Sequence, residues 1–354
     1  METKKNILLF NLAVDEDDPI VGFAVGLIGR IAREAASVSV ITVRMGRYQL
    51  PKNVSVYSVG RELGRGRVAS IFVFYKHLFA LLRNGGVDIC FSHMNQLFVV
   101  LAAPFLVVRR IPIFLWYAHR RPTVMVWLAS FFAKYTLMST YDSYIPFMKK
   151  AVITGQMIDT DFFKPCGEII KNDPPLFISV GRISPIKDVL TFVRAAHIMR
   201  SAGYAFKCAY IGPVLPHDAH YFAAVRGEAA RLGLEDIFIF SGSAYRDDVR
   251  SAYQRAFAHI NACSAGAPDK AALEAMACGT LSVFANRAFV PLAGVFSEAL
   301  YFTEGDPQSL AAILMGLLSM EASKKAALSH ALRDEVLHRH SMNSFIRHFN
   351  RLIA

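Results

Sequence analysis

The stretch PLFISVGRISPIKDVLTFVRAAHIMR, residues 175–200, gives a strand, a loop and a helix in direct succession. It opens with a short apolar run rich in branched and aromatic residues, and Gly181 marks the end of that run. Pro185 then suits the first turn of a helix. Arg182 and Lys187 bracket the loop, and a cation beside a helix N-terminus is unfavourable unless an anion binds there. The stretch therefore predicts an anion site at the end of a strand.

The stretch AGAPDKAALEAMACGT, residues 265–280, repeats this arrangement after the strand-like run FAHINAC. Pro268 suits a first helical position, and Lys270 falls in the first turn. Two helix starts that each carry a cation, both after strands of one sheet, would converge on a diphosphate from opposite sides. Glu274 follows one turn after Lys270, where its carboxylate is placed to accept hydrogen bonds from a vicinal diol such as ribose. A solvated surface charge is the simpler interpretation of either lysine taken alone.

Outward from these two stretches, strand-like apolar runs alternate with helical patterns along the whole chain. Near-continuous apolar strands are typical of parallel sheets that are covered on both faces by crossover helices. The series occurs twice, and the Gly-, Pro- and charge-rich segment at 154–175 separates the two halves. The sequence thus predicts an α/β protein with two doubly wound domains, whose ligands bind beyond the carboxyl ends of the strands. The predicted strands lie at 6–13, 37–43, 87–94, 111–119, 175–182, 206–212, 237–243, 257–263 and 280–286.

The pair VGRISPIKD, residues 180–188, and LEAMACGT, residues 273–280, resembles the donor-domain motifs of the family 4 retaining glycosyltransferases, also described as glycosyl transferases group 1. The resemblance runs through nearly the whole chain. It implies the GT-B fold, in which two Rossmann-like domains face each other across a cleft. We expect an acceptor-side domain at 1–165, a nucleotide-sugar donor domain at 166–335, and a helix at 336–354 that packs back on the first domain.

The resemblance also assigns roles to single residues. Arg182 and Lys187 would hold the donor diphosphate, and Glu274 the donor ribose. His119, at the end of the run IPIFLWYAH, would face the donor sugar, which makes His119, Arg182 and Lys187 the expected catalytic residues. On the acceptor side we expect Gly22 and His93. The expected donor-binding positions are Gly181, Arg182, Lys187, Gly242, Gly266, Asp269, Lys270, Ala271, Ala272, Leu273 and Glu274.

The sequence departs from the family at several positions. The family usually has Glu eight positions before the residue matched by Glu274, where it contacts the donor sugar, and here that position is Gly266. Asp269 or Lys270 is the expected replacement for that contact. The first loop, VDEDDPIVGF, lacks the usual glycine-rich pattern, and Met157 stands where the linker usually has Gly.

The formal net charge of +11 is concentrated in the first half of the chain. Residues 1–150 hold 19 Lys and Arg against 9 Asp and Glu, whereas residues 151–354 hold 20 against 19. A basic face favours an anionic partner, here a membrane surface, since no nucleic-acid-binding motif accompanies the charge. The stretch RELGRGRVASIFVFYKHLFALLRN, residues 61–84, fits either an interfacial helix or a buried helix with solvated ends. The apolar run 97–108 is too short to span a bilayer and predicts a buried helix.

No metal site is predicted. The five cysteines show no C-x-x-C or zinc spacing, which favours a reducing compartment, and the chain starts with a strand-like pattern rather than a cleavable signal. Asp159-Thr160-Asp161 matches the D-x-D of a different glycosyltransferase fold, but it lies in the linker. The acidic loop at 15–18 is explained most simply as a solvated loop. We therefore expect a cytoplasmic protein, peripheral on the inner face of the cell membrane.

The resemblance implies transfer of a hexose-type sugar from a UDP- or GDP-linked donor, with retention, to a glycan or lipid-linked acceptor in surface polysaccharide or glycolipid synthesis. No cofactor is expected beyond the donor itself. Two alternatives stay open at this point. One is a sugar-nucleotide epimerase of the same architecture, against which LEAMACGT argues; the other is a non-catalytic sugar-nucleotide binder, suggested by Gly266.

Overall fold

The computed structural model describes residues 4–18, 21–83, 86–118, 123–140, 150–167, 172–263 and 266–354 of the chain. The chain divides into two compact units. The first is Met1–Met157 together with Met342–Ala354, and the second is Ile158–Ser341. These bounds differ by a few residues from the expected domain boundaries at 165/166 and 335/336.

The first unit is built on a parallel sheet in the order β3-β2-β1-β4-β5-β6-β7. Its strands are β1 (Asn6–Val14), β2 (Ser37–Met45), β3 (Val54–Ser58), β4 (Ile89–His93), β5 (Ile113–Trp116), β6 (Tyr135–Met138) and β7 (Ala151–Ile153). Its helices are α1 (Phe23–Glu34), α2 (Arg67–Arg83), α3 (Gln96–Val108), α4 (Val124–Phe132) and, from the chain's C-terminal part, α13 (Met342–Ile353).

Both faces of this sheet are covered, which explains why its strands are continuously apolar. Successive strand residues point to opposite faces. Leu9 packs in the layer that contains α1 and α13, whereas Phe10 packs in the layer that contains α2, α3 and α4. In the first layer, Phe345 and Phe349 of α13 lie against Phe91 with ring centroids 5.6 and 5.0 Å away.

The second unit contains a parallel sheet in the order β10-β9-β8-β11-β12. Its strands are β8 (Leu176–Val180), β9 (Lys207–Ile211), β10 (Phe238–Gly242), β11 (Ala258–Asn261) and β12 (Leu281–Phe284). Its helices are α5 (Val189–Ser201), α6 (Ala219–Arg231), α7 (Arg246–Arg255), α8 (Lys270–Ala277), α9 (Val290–Ala293), α10 (Ser297–Leu300), α11 (Pro307–Ser319) and α12 (Ala322–Glu335). The predicted α/β fold with two doubly wound sheets is confirmed.

In each unit the strand order reverses direction at one place, and a doubly wound sheet opens its ligand crevice there, beyond the carboxyl ends of the strands. In the first unit the reversal lies between β1 and β4, and in the second between β8 and β11. The segments that follow β8 and β11 are the two stretches from which the fold was predicted. The sheet topology therefore places these two stretches side by side at one edge of the sheet.

Three local predictions were wrong. Pro185 opens only a short 3-10 turn, Pro185–Lys187, and α5 begins at Val189 because Asp188 forms its N-cap. Pro268 precedes the N-cap of α8 instead of standing at the first helical position. The run 97–108 forms α3, but that helix is not fully buried: Leu97, Val107 and Val108 are exposed. No helix among the described residues combines the length and apolar character needed to cross a membrane.

Candidate donor site at the carboxyl edge of the second sheet

The loop after β8 is shaped by glycine and by a capping aspartate. Gly181 has φ +144°, a conformation that L side chains rarely adopt, and a Cβ at Gly181 would lie 3.2 Å from Cε of Lys187. Lys187 ends the 3-10 turn, and the Asp188 carboxylate then accepts hydrogen bonds from the backbone N–H and the hydroxyl of Thr191. The ammonium group of Lys187 is thereby held next to the end of β8 rather than inside α5.

Lys187 forms an ion pair with Asp269, the residue immediately before α8. Each side chain is 22% exposed. Burial alone would raise the pKa of the Asp269 carboxyl and lower that of Lys187. The mutual attraction outweighs burial, so the pKa of Asp269 is lowered and that of Lys187 is raised. Both groups are therefore charged at neutral pH, and the half-buried cation of this edge is neutralised by an anion of the chain itself.

Asp269 also occupies the N-terminus of α8. Its carboxylate accepts a hydrogen bond of 3.3 Å from the backbone N–H of Ala271. A helix N-terminus with free N–H groups is the part of a helix that binds anions. The position at which a diphosphate would meet both Lys187 and α8 is therefore held by the Asp269 carboxylate.

Lys270 and Glu274 form a second charged cluster, one turn apart on α8 and half-buried. Burial lowers the pKa of Lys270 and raises the pKa of Glu274, and the attraction between the two groups partly offsets both effects. The guanidinium of Arg246, at the start of α7, acts electrostatically on both. The two lysines expected to converge thus belong to separate clusters: Lys187 pairs with Asp269, and Lys270 lies with Glu274 and Arg246.

The contacts of Arg246, the first residue of α7, could not be inferred from the sequence. Its guanidinium stacks 4.1 Å from the ring centroid of Phe162 and lies 3.2 Å from the Asp159 carboxylate. Asp159 and Phe162 come from the linker, the first within the Asp159-Thr160-Asp161 motif and the second just after it. The ion pair and the cation–π contact give this linker segment a defined role, which is to orient Arg246 toward α8.

Four of the buried polar atoms that lack a hydrogen-bond partner among the described residues lie around this site. They are both ring nitrogens of His259 and Oδ1 of Asn261 on β11, and Oγ of Ser184. His259 feels the charges of Asp269 and Lys187, and Tyr253 feels that of Glu274. Burial lowers the pKa of His259 to about 3, so its imidazole is neutral. Unpaired buried polar groups are costly, and polar ligands or water commonly satisfy them.

Among the other predicted donor positions are two glycines and three apolar residues, which carry no charged or polar side chain. Ala272 and Leu273 are buried in the core of the second unit, and Gly242 lies at the end of β10 with φ +70°. Gly266 has φ +96°, and its carbonyl accepts a hydrogen bond of 3.1 Å from the Asn286 side chain. A glutamate would be strained in that conformation, so the chain around Gly266 takes a path suited to glycine rather than one that merely lacks a carboxylate.

In the first unit, His93 and Gly22 lie at the reversal between β1 and β4. Nδ1 of His93 lies 3.1 Å from Oδ1 of Asn11, an acceptor, and the imidazole stacks on Trp116 with centroids 5.0 Å apart. Gly22 precedes α1 at a close backbone approach, since a Cβ there would lie 2.7 Å from the Asp18 carbonyl oxygen. His119 lies outside the described residues.

The acidic loop at 15–18 is engaged by two arginines. Asp18 pairs with Arg44, and Asp17 binds Arg47 at 2.7 Å. In the part of the chain that the structure describes, no cluster of three or more His, Cys, Asp or Glu could hold a metal ion.

The chain is similar to known proteins in both sequence and fold. Residues 164–334 match the family model described as glycosyl transferases group 1. Curated protein sequences gave no significant match. Among solved structures, HepE of Anabaena in complex with UDP and glucose is 16% identical, with a TM-score of 0.76 and 99% of each chain covered.

Two further solved structures have the same fold. A glycosyltransferase from Rickettsia africae is 14% identical with a TM-score of 0.75, and 99% of this chain aligns with 98% of it. Sucrose-phosphate synthase from Thermosynechococcus elongatus is also 14% identical, with a TM-score of 0.71 and the same coverage. The resemblance to the glycosyl transferases group 1 is therefore confirmed: residues 164–334 match that family's model, and the chain has the GT-B fold.

Proposed function

We propose that this protein is a retaining glycosyltransferase that moves a hexose-type sugar from a nucleoside diphosphate sugar to an acceptor. The observation that carries the proposal is the placement of Lys187 and the N-terminus of α8 at the strand-order reversal of the second sheet. Arg182 lies exposed in the same loop, within electrostatic range of Lys187. Two cations and a helix N-terminus at one sheet edge form a diphosphate site.

The charges on this edge suit the departure of a diphosphate. Breaking the sugar–phosphate bond leaves negative charge on the leaving group while positive charge develops at the anomeric carbon. Fixed cations that meet the leaving group lower the barrier, because they need no reorganisation when the charge appears. Arg182 and Lys187 supply that charge, and Lys187 exchanges Asp269 for the donor phosphate. We propose that no metal ion takes part.

The remaining side chains position the donor. Glu274 accepts hydrogen bonds from the ribose hydroxyls, and the Arg246 guanidinium favours its carboxylate form against the burial that raises its pKa. The buried Tyr253 hydroxyl interacts with the Glu274 side chain. With Gly266 in place of the family's glutamate, Asp269 takes over the contact to the donor sugar once Lys187 has turned to the phosphate. His119 is assigned to the donor sugar by resemblance alone. HepE was solved with UDP and with glucose, which supports a UDP-linked donor over a GDP-linked one.

The acceptor is proposed to be an anionic or lipid-linked glycan, used in cell-surface polysaccharide or glycolipid synthesis. The support is electrostatic: nearly all the excess positive charge lies in residues 1–150. A cationic acceptor half attracts phosphate-bearing lipid carriers and the anionic membrane surface that contains them. The protein would then act as a peripheral membrane enzyme on the cytoplasmic side.

The test is to replace Arg182 and Lys187 by alanine, singly and together. Each should reduce transfer by about a hundredfold or more and weaken UDP binding, because charge stabilisation of the leaving group is lost. Lys207→Ala and Arg200→Ala remove exposed cations of the same unit and serve as matched controls. Unchanged transfer in the double variant would refute the assignment.

Product analysis separates the proposal from its rivals. A retaining transferase gives a product whose anomeric configuration, read by NMR, is that of the donor. An epimerase would convert the sugar nucleotide into an isomer with no acceptor present. A non-catalytic binder would bind UDP yet give no product with a broad panel of acceptors, and the second charged cluster would then serve affinity alone. Activity that persists unchanged in excess EDTA is expected if no metal takes part.

A further inference from the structure

The outward faces of α2, α3 and α4 are apolar. On α2 the outward positions are Val68, Phe72, Lys76, Phe79 and Arg83, with Phe72 72% exposed. Spacings of three and four residues place them on one side of the helix. The buried side of the same helix, which includes Phe74 and Leu78, packs on the sheet. The helix is therefore apolar on two opposite sides, and only one of them is used by the fold.

The neighbouring helices have the same character. On α4, Val124, Trp127 and Phe131 face outward, with Trp127 51% and Phe131 74% exposed. On α3, the outward residues include Val107 and Val108. Monomeric soluble proteins seldom expose apolar groups of this size side by side, and such patches mark interaction surfaces.

The three helices form one continuous layer. Phe79 of α2 meets Phe105 of α3 with ring centroids 4.8 Å apart, and the hydroxyl of Tyr75 donates a hydrogen bond of 3.3 Å to the Leu101 carbonyl. α3 in turn packs against α4, and all three helices rest on the same face of the sheet. The exposed side chains of α2, α3 and α4 thus belong to one surface, which we call the outer face.

The charge of the outer face has one sign. The sequences of α2, α3 and α4 contain no Asp or Glu. Over residues 63–141 the chain has nine Lys and Arg against a single acid, Asp88. Lys76 lies between the exposed phenylalanines of α2. Arg83 is the last residue of α2, and Arg109 and Lys134 follow the ends of α3 and α4. Long basic side chains can keep their charge in water while their methylene stems cover apolar surface.

We propose that the outer face docks on the surface of an anionic phospholipid bilayer, with Phe72, Trp127 and Phe131 inserted among the lipid headgroups. Exposed aromatic residues flanked only by cations are the signature of an interfacial surface. A second copy of this chain fits less well, because two identical cationic faces repel each other. The inference rests on the proposed function for its purpose, which is to bring the site to lipid-linked acceptors, but not for its geometry.

The experiment measures sedimentation with vesicles of phosphatidylglycerol and phosphatidylcholine, and with vesicles of phosphatidylcholine alone. The wild-type protein should sediment with the anionic vesicles and be released by salt. Phe72→Ser with Phe131→Ser should weaken this partition by about tenfold or more. The matched control is Val295→Ser, which removes an apolar residue of the second unit that is 90% exposed. It should bind vesicles as the wild type does, and thermal melting checks that every variant is folded.

Several results would overturn the inference. One is a wild-type protein that fails to sediment with anionic vesicles at low salt, and another is undiminished binding by the doubly substituted variant. A third is a wild-type protein that is a dimer by light scattering and does not bind vesicles, while the doubly substituted variant is a monomer. That result would make the outer face a contact between two copies of the chain. UDP binding is measured by calorimetry on the same samples. Vesicle binding without UDP binding would refute the proposed function and leave the inference about the outer face standing. UDP binding without vesicle binding would overturn the inference about the outer face and leave the proposed function standing.

Discussion

Replacing Asp269 by asparagine should make the protein bind nucleoside diphosphates more tightly while making the free protein less stable. In the unliganded protein the Asp269 carboxylate neutralises Lys187 and caps α8, the two groups that a diphosphate would use. A donor therefore competes with an anion that is part of the chain. Asparagine keeps the size of the side chain and its ability to cap a helix, and it removes only the negative charge.

The size of the effect follows from the electrostatics of the site. Two unit charges about 5 Å apart interact by about 3 kcal/mol at an effective dielectric constant of about 20. Each member of the pair keeps 22% of its side-chain exposure, so solvent screening reduces the repulsion between Asp269 and a bound diphosphate to about 1–2 kcal/mol. Asp269→Asn should thus lower the dissociation constant for UDP by about 5- to 30-fold.

The stability of the free variant should change in the opposite direction. Removing Asp269 leaves the half-buried Lys187 ammonium without its counter-ion, at a cost of about 1–2 kcal/mol. The pKa of Asp269 is lowered in the folded protein and that of Lys187 is raised. The pair's contribution is hence present between about pH 4 and pH 10, and it is lost as pH falls through the folded pKa of Asp269 or rises through that of Lys187.

Isothermal titration with UDP and thermal melting of the free protein would test both parts. Asp236→Asn serves as the matched control, because Asp236 forms an exposed ion pair with Arg200 elsewhere in the same unit. This control should leave UDP affinity unchanged. Equal or weaker UDP binding by Asp269→Asn would refute the competition between Asp269 and the diphosphate. Weaker binding would also mean that Asp269 supports donor binding by orienting Lys187.

Two further predictions concern stability. Gly22→Ala would place a Cβ 2.7 and 2.8 Å from two carbonyl oxygens of the preceding loop, so it should destabilise the first unit by about 1–3 kcal/mol. The control is Gly29→Ala, within α1, where the nearest contact of the added Cβ is at 4.0 Å; it should raise the melting temperature slightly. Equal effects of the two substitutions would contradict the predicted clash. Burial lowers the pKa of His259 to about 3 and that of His340 to about 4. Because the unfolded chain takes up these protons below about pH 6.5, stability should fall by about 1.4 kcal/mol per histidine for each pH unit below that value. Melting temperatures measured from about pH 7 down to about pH 5 should decline, less steeply in His259→Gln, and a flat profile would contradict the burial argument.

Much of the fold could be predicted because buried parallel strands leave a strong signal. Runs such as 175–182 are apolar on both faces and end at glycine, and this pattern does not depend on remote residues. The order of the strands within each sheet could not be predicted from periodicity. That order places the loop after β8 beside the loop after β11. The site was therefore predicted from two other sources: the rule that doubly wound sheets bind ligands beyond the carboxyl ends of their strands, and the resemblance to the glycosyltransferase family.

The pairing within the site was not predictable from the sequence. Asp269 was expected to contact the sugar, whereas in the free protein it binds Lys187. That contact joins residues 82 positions apart, and the φ of +96° at Gly266, near Asp269, is likewise not indicated by any local pattern. Arg246 was missed because its partners, Asp159 and Phe162, lie far away in sequence. Contacts between loops depend on how the helices and strands are packed, and the identity of a side chain contains little information about that packing.

The helix α2 shows why charge sometimes decides what periodicity leaves open. Its sequence is apolar on two opposite sides, so an interfacial helix and a buried one give the same pattern. The two halves of the chain differ instead in how their cations are balanced. In the second unit, Lys187 and Arg246 are each paired with a carboxylate, in line with 20 basic and 19 acidic residues over 151–354. Around α2, α3 and α4 the chain has almost no acidic residues, so the basic residues there attract an external anion. The exposed aromatic side chains between these basic residues favour an anionic surface over a single ion as the partner.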